Sequence, residues 1–364
     1  MSIIADVLKK AVDQGASDIH LKLDEPPFYR IHGDLSESGF PKLSAEDLQR
    51  IVADILPGRL REKQGQALEI DFSHHEEGVG RFRVNVFLAR HVPTLALRYV
   101  QTAIPSVEQL HLPPTLQQLA LSSSGIILVC GATSSGKSTT LAAMINCINT
   151  NQRARIITIE DPMEYMFLDI RSVITQREVG LDTPSFHAAL KHVLRQDPDV
   201  IMIGEMRDAV SLGVALSSAE TGHVVFSTLH ANTASQSIQR ILNLYQVEER
   251  EQVRMSLAVN LKASICQRLV PASGGGVRPA VEIMINTPTV RKLLMQNKLD
   301  MLVAAIETGR EDGMQTFNQA LYDLIKSGTI SEASGMEYSP QPEALKMNLQ
   351  GIFLDEGRRI LGDG

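Results

Sequence analysis

Eight consecutive residues, Gly131 to Ser138 (GATSSGKS), have the types and spacing needed to wrap a chain of phosphates. In the pattern Gly-x4-Gly-Lys-Ser, the glycines let the backbone turn its N–H groups toward the anion. The lysine brings an ammonium to the β and γ phosphates, and the serine hydroxyl ligates Mg²⁺. Lys137 and Ser138 would fill those last two roles, with Gly131, Thr133, Ser134, Ser135, Gly136 and Thr139 completing the nucleotide-binding set. Chance alone produces the pattern in roughly one chain of this length in a hundred, so its flanks matter. Ile126 to Val129 read as a strand before it. Lys137 to Ile148 read as a helix after it, with Leu141, Met144, Ile145 and Ile148 at helical spacing. Strand, loop, helix is the order that aims a helix N-terminus at phosphates.

Hydrolysis of a bound nucleotide needs a carboxylate near the γ phosphate, to hold Mg²⁺ and to orient or deprotonate water. Glu160 and Asp161 follow the apolar run Ile156–Ile159, and Glu205 follows Val200–Ile203 with Gly204 between. Carboxyl ends of parallel strands are where α/β sheets place ligand chemistry, so both sites can face the loop. The competing readings are a turn before Pro162 for Glu160 and Asp161, and a solvated pair with Arg207 for Glu205; Glu164 is a weaker candidate. The second run ends in Gly-Glu rather than Asp, which predicts Mg²⁺ held by Ser138, Glu160 and Glu205 partly through water. His230 follows a further apolar strand, either as a sensor of the γ phosphate or as a structural residue. His74 and His75, beside Glu76 and Glu77, read as a solvated hairpin tip with Gly78 and Gly80 rather than as a metal cluster.

Placing these groups requires a mainly parallel sheet. Runs at Gly125–Cys130, Ile156–Ile159, Val200–Ile203 and His223–Ser227 alternate with helical stretches, the pattern of strands buried on both faces. A last strand is expected at Ala280–Ile285, after the turn Ser273–Gly276, with helical sequence to the end. The first hundred residues differ. Ile3–Val12 has helical spacing, DIHLKL and the stretch Phe28–Leu35 read as strands, and RFRVNVF sets Arg81, Arg83 and Asn85 opposite Phe82, Val84 and Val86. This describes an α+β domain. The proline-bearing stretch from Thr102 to Pro114 suits a connection.

At 364 residues, two domains are the natural expectation. A formal charge of −7 argues against coating nucleic acid. Cys130, Cys147 and Cys266 form no metal-ligand spacing and read as reduced core residues. No apolar run has signal-peptide or membrane-spanning length, so a cytosolic chain is expected, meeting membrane only through a partner.

The loop, IEDPMEY, GEMRD and AETGHVVFSTLHAN, in this order, make the chain resemble the secretion and type IV pilus motor ATPases, as that family's Walker A, Asp box, Walker B and His box. QGASDIHL, RFRVNVF, SVITQREVGLDTPSFHAALKHVLRQDPDV and GMQTFNQAL extend the likeness over nearly the whole chain. The absence of a longer N-terminal region and of a four-cysteine zinc set is similar to the retraction branch, the PilT and PilU type. The resemblance implies a PAS-like α+β domain (1–103), a linker (104–116) and a RecA-like P-loop α/β ATPase domain with a helical C-terminal region (117–364). It also implies a homo-hexamer at the pilus base, driving pilin depolymerisation and twitching motility by hydrolysing ATP with Mg²⁺. An inner-membrane platform protein, and a paralogous retraction ATPase, would be its partners. In such rings ATP lies between the two domains. Arg83 and Arg98 would stabilise charge on the γ phosphoryl group, joining Glu205, Glu160, His230 and Arg207 in the catalytic set.

Three departures from the family pattern stand out, one of them the end NLQGIFLDEGRRILG, which differs from the family's and has no physical account. Ser134 occupies a loop position usually held by Gly, which requires a negative φ or accepted strain. TVRKLLMQNK keeps Arg291 but loses a later Arg-Glu pair, which points toward a PilU-like accessory paralogue. The alternatives are a pilus-assembly or type II secretion ATPase, an ATP-driven nucleic-acid translocase, and a regulatory nucleotide-binding module that hardly hydrolyses.

Overall fold

The computed structural model describes residues 3–31, 33–58, 69–100 and 103–352. The far end of NLQGIFLDEGRRILG and the first residue of the Thr102–Pro114 stretch lie outside the described residues. The chain divides into two compact units, Met1–Ala103 with Glu164–Met166, and Ile104–Met163 with Phe167–Gly364.

The first unit opens with α1 (Ile3–Asp13), whose Ile4, Val7, Leu8 and Ala11 are buried at the expected helical spacing. A six-stranded sheet follows, built from β1 (Asp18–Leu21), β2 (Phe28–Ile31), β3 (Asp34–Glu37), β4 (Glu69–Glu76), β5 (Gly80–Ala89) and β6 (Val92–Val100), in the order β3-β2-β1-β6-β5-β4. All its pairings are antiparallel. Helix α2 (Ala45–Ile55) carries a capping box in which Ser44 and Asp47 satisfy each other's backbone N–H groups. Alternation along β5 buries Phe82, Val84 and Val86 and leaves Arg81, Arg83 and Asn85 on the other face.

Two expectations are corrected in this unit. Phe28 to Leu35 is not one strand: Gly33, at φ +95°, turns the chain so that Ile31 pairs with Asp34. His74 and His75 are not in a loop. They lie within β4 opposite Phe82 and Arg81, because the ladder runs on to Glu76↔Gly80 before the turn closes with Gly78 at φ +74°. His74 Nε2 lies 3.0 Å from the Glu76 carboxylate. Among the described residues, no group of three His, Cys, Asp or Glu is placed to hold a metal ion.

The second unit is a seven-stranded sheet of β7 (Gly125–Cys130), β8 (Arg155–Glu160), β9 (Val173–Glu178), β10 (Val200–Ile203), β11 (Val224–Leu229), β12 (Leu261–Pro271) and β13 (Val277–Ile285). The order is β13-β12-β7-β11-β10-β8-β9, and all pairs are parallel except β12 with β13. Every residue of β7, β10 and β11 is buried. Continuous apolar runs of this kind are what a sheet covered on both faces requires. Among the helices, α3 (Thr115–Ala120) precedes β7, and α4 (Lys137–Asn151), α5 (Phe186–Val193), α6 (Ala209–Glu220), α7 (Ala234–Leu242) and α8 (Arg250–Asn260) separate later strands. Beyond β13 come α9 (Pro288–Met295), α10 (Leu302–Thr308), α11 (Phe317–Lys326), α12 (Glu332–Tyr338) and α13 (Pro342–Leu349).

Strand β12 has no counterpart in the sequence reading, because Lys262, Ser264, Gln267 and Arg268 break its apolar run. It nevertheless pairs with β7 along one edge and β13 along the other. Cys130 and Cys266 are buried free thiols facing each other across β7 and β12, whereas Cys147 is only half-buried.

Candidate nucleotide site

Because six strands of the second sheet run in one direction, their carboxyl ends share one edge, and the chemistry-bearing segments leave from it. The loop after β7 begins one residue past Cys130, which pairs with Leu229, the residue before His230. On the other side of β11, Ile203 of β10 pairs with both Ser227 and Ile159, so Glu205 and Glu160 leave from adjacent strands. Gly204 N–H donates to the Ile159 carbonyl at 2.8 Å. Thr228 Oγ1 donates to the Gly204 carbonyl at 2.6 Å, fastening the strand before His230 to the turn before Glu205. A Cβ at position 204 would come within 3.3 Å of the Ile159 carbonyl and 3.4 Å of Glu160 Cα. That crowding gives a physical reason for glycine where the apolar run ends.

In the loop, Gly131 has φ +153° and Gly136, which caps α4, has φ +85°. A Cβ on Gly131 would lie 2.4 Å from Ser135 Oγ. Ser135 Oγ is buried, with no hydrogen-bond partner of its own. Lys137 Nζ donates to the carbonyls of Gly131 (3.1 Å) and Ala132 (2.7 Å), which folds the ammonium over the loop. Ser138 and Thr139 sit in the first turn of α4, and Thr133 and Ser134 are exposed. Ser134 takes φ +63°, so the serine accepts strain instead of avoiding it. A non-glycine residue in this region costs about 1 kcal/mol or more. Ser134→Gly is therefore expected to raise the thermal midpoint by about 1–3 °C without weakening nucleotide binding. A scanning-fluorimetry melt with and without ATP checks it; a lowered midpoint would show that the serine is not strained.

Glu160 is 5% exposed, and its Oε1 accepts from Thr158 Oγ1 (2.7 Å) and Gln176 Nε2 (3.2 Å). Glu205 lies between two nitrogen-bearing side chains: Oε2 accepts from Arg207 Nε at 2.8 Å, and Oε1 lies 3.2 Å from His230 Nε2. The hydrogen bond and charge of Glu205 push the Arg207 guanidinium pKa up, so it stays protonated. The pairing of Glu205 with Arg207, one of the two readings open from sequence, is present, and His230 joins it. After His230, α7 is anchored by the buried Glu282, whose Oε1 accepts from Ala234 N–H at 2.7 Å.

Arg83 and Arg98 belong to the first unit, directly opposite one another on β5 and β6. Arg83 lies 3.9 Å from Asp71, and Arg98 Nε donates to Asp18 Oδ1 at 2.8 Å. Burial pushes the Asp18 carboxyl up, but hydrogen bonds from Ser17 and Arg98 outweigh it and hold the group below the usual carboxylate range.

Thr158, Gln176, Thr228 and Gln267 escaped the sequence reading. Thr158 had a local signal, standing two residues before Glu160 and so on the same strand face; Gln176 and Gln267 arrive from other strands. Ser138, Glu160 and Glu205 offer oxygen donors only, the ligand type a hard cation such as Mg²⁺ takes, and the buried Glu160 is held by hydrogen bonds from Thr158 and Gln176.

Four similarities to known proteins bear on this arrangement. The family model described as type II/IV secretion system protein matches residues 1–278. The type IV pilus ATPase PilU of Pseudomonas aeruginosa is 39% identical over 345 residues, covering 94% of this chain and 90% of that protein. The type IV pilus retraction ATPase PilT of the same organism is 38% identical over 340 residues, covering 93% and 99% respectively. A crystal structure of the pilus retraction motor PilT with bound ADP superposes with a TM-score of 0.88 at 44% identity, covering 94% of this chain and 98% of the other.

Proposed function

The chain belongs to the type II/IV secretion system protein family, and from that membership we propose that it is a hexameric motor ATPase that drives type IV pilus retraction. One observation carries the reading: the phosphate loop, Glu160, Glu205 and His230 all leave the same edge of one parallel sheet, from neighbouring strands. In the reaction, the loop N–H groups and Lys137 hold the β and γ phosphates of ATP. Glu205 accepts the proton of the attacking water, while Arg207 and His230 fix its carboxylate. ADP and phosphate are the products. Mg²⁺, held by Ser138 and through water by Glu160 and Glu205, would neutralise charge on the phosphate oxygens. Chelation with EDTA should abolish turnover, and survival of activity would remove the ion from the scheme.

The wider reading has separable parts. The first unit, with α1, α2 and an antiparallel sheet among its described residues, supports a PAS-like domain over 1–103, joined by 104–116 to a RecA-like domain over 117–364; protease cleavage confined to 104–116 would support it, and cleavage spread elsewhere would not. Arg83 and Arg98 are assigned to stabilising the γ phosphoryl charge. Subunits carrying Arg83→Ala should then poison wild-type rings when mixed, and strictly additive activities would reject the role. The motor is assigned to the cytoplasmic base of the pilus, against an inner-membrane platform protein, with a paralogous retraction ATPase as a second partner. Among the described residues, no helix is long and apolar enough to cross a membrane. Deletion of the gene in its host is the decisive experiment: pili should form and fail to retract, whereas loss of pili altogether would indicate an assembly role.

A further inference from the structure

The phosphate loop is held from outside its own motif by a residue of β12. Gln267 stands one position past Cys266, which pairs with Cys130, so it emerges beside the first residue of the loop. It is 4% exposed. Its side-chain Oε1 accepts from Thr140 Oγ1 at 2.7 Å, and Thr140, at 1% exposure, lies in the first turn of α4. Its main-chain carbonyl oxygen would be 2.6 Å from a Cβ on Gly131, and its Nε2 2.8 Å from a Cβ on Gly136. One residue thus fills the space behind both glycine ends of the loop and clips the helix the loop feeds into.

We propose that Gln267 is a positioning residue for the phosphate loop, fixing the separation of Gly131 and Gly136 and the direction of the α4 N-terminus through Thr140. Burying an amide is unfavourable unless it is hydrogen-bonded, and an apolar side chain of the same length would fill the volume without that cost. What the amide adds is geometry: an oxygen that locks Thr140 and a nitrogen end set against Gly136. A loop whose N–H groups already point at the anion gives up less ordering free energy when phosphates bind. The inference rests on the reading of Gly131–Ser138 as the phosphate loop.

The test compares dissociation constants of the purified full chain for ADP and AMP, by competition against a fluorescent ADP analogue, in the variants Gln267→Met, Thr140→Val and Lys137→Ala. Gln267→Met keeps the volume and removes the amide; it is expected to weaken ADP binding by about tenfold while leaving AMP binding nearly unchanged, because the β phosphate depends on the loop. Thr140→Val breaks the same bond from the helix side and should shift the ADP-to-AMP ratio in the same direction. Wild-type ADP affinity in a folded Gln267→Met protein, or equal losses for ADP and AMP, would overturn the proposal. If Gln267→Met does not fold, Thr140→Val decides by the same ratio. Lys137→Ala separates the two failures. Undiminished ADP binding there would overturn the loop reading and this inference with it, whereas loss there with no change at Gln267 rejects the role of Gln267 alone.

Discussion

Replacing Glu205 with alanine is expected to lower ATP turnover by ~100-fold or more, the size of a lost general base, with ATP binding retained. The structure explains why binding should survive. Glu205 is engaged by Arg207 at 2.8 Å and His230 at 3.2 Å, so its removal leaves the Arg207 guanidinium without its counter-charge at the strand edge that carries the phosphate loop. An added cationic field favours a polyanion. Steady-state turnover together with equilibrium binding of a fluorescent ATP analogue checks both halves. Glu205→Gln, which keeps the hydrogen-bond acceptor but not the base, should match alanine in turnover and the wild type in binding. Collapse of binding in both variants would make Glu205 a scaffold residue whose carboxylate holds Arg207 and His230 in place.

The second large effect is expected at Lys137, where alanine should fail at the earlier step of binding. Two charge-assisted hydrogen bonds to phosphate oxygens are lost, together about 3 kcal/mol, or ~100-fold in affinity. The fold should survive, because in the structure Nζ donates to the Gly131 and Ala132 carbonyls of the loop itself, which is part-exposed. Calorimetric titration with ATP and a far-ultraviolet dichroism spectrum decide it. An unchanged affinity would remove Gly131–Ser138 from phosphate binding.

These two variants probe residues whose proposed roles rest on one-dimensional order, and the reason is local. The loop, the preceding strand and the following helix are contiguous in sequence, so their order carries the geometry. Glu160, Glu205 and His230 each follow an apolar run, and once those runs are parallel strands their ends must share an edge. In the first unit the alternation of RFRVNVF was equally legible, since a strand with one buried face must alternate.

Where reading failed, the cause was pairing or backbone conformation. Strand β12 is polar at Lys262, Gln267 and Arg268, and its place beside β7 comes from the sheet, not from its own periodicity. Turn-forming glycines beside His74–His75 point toward a loop, whereas the ladder with β5 carries the strand on to Glu76.

The order of residues sets the chemistry available: a lysine and hydroxyls for phosphates, carboxylates and a histidine at strand ends, and apolar runs that demand a buried parallel sheet. Those properties follow from residue type and short-range order. Tertiary structure alone decided that Ser134 takes a positive φ, that Glu205 joins Arg207 to His230, that Gln176 and Thr158 share Glu160, and that Gln267 stands behind the loop. The Gln267–Thr140 bond spans 127 residues of chain, and no local pattern can encode a contact that exists only after two strands have paired.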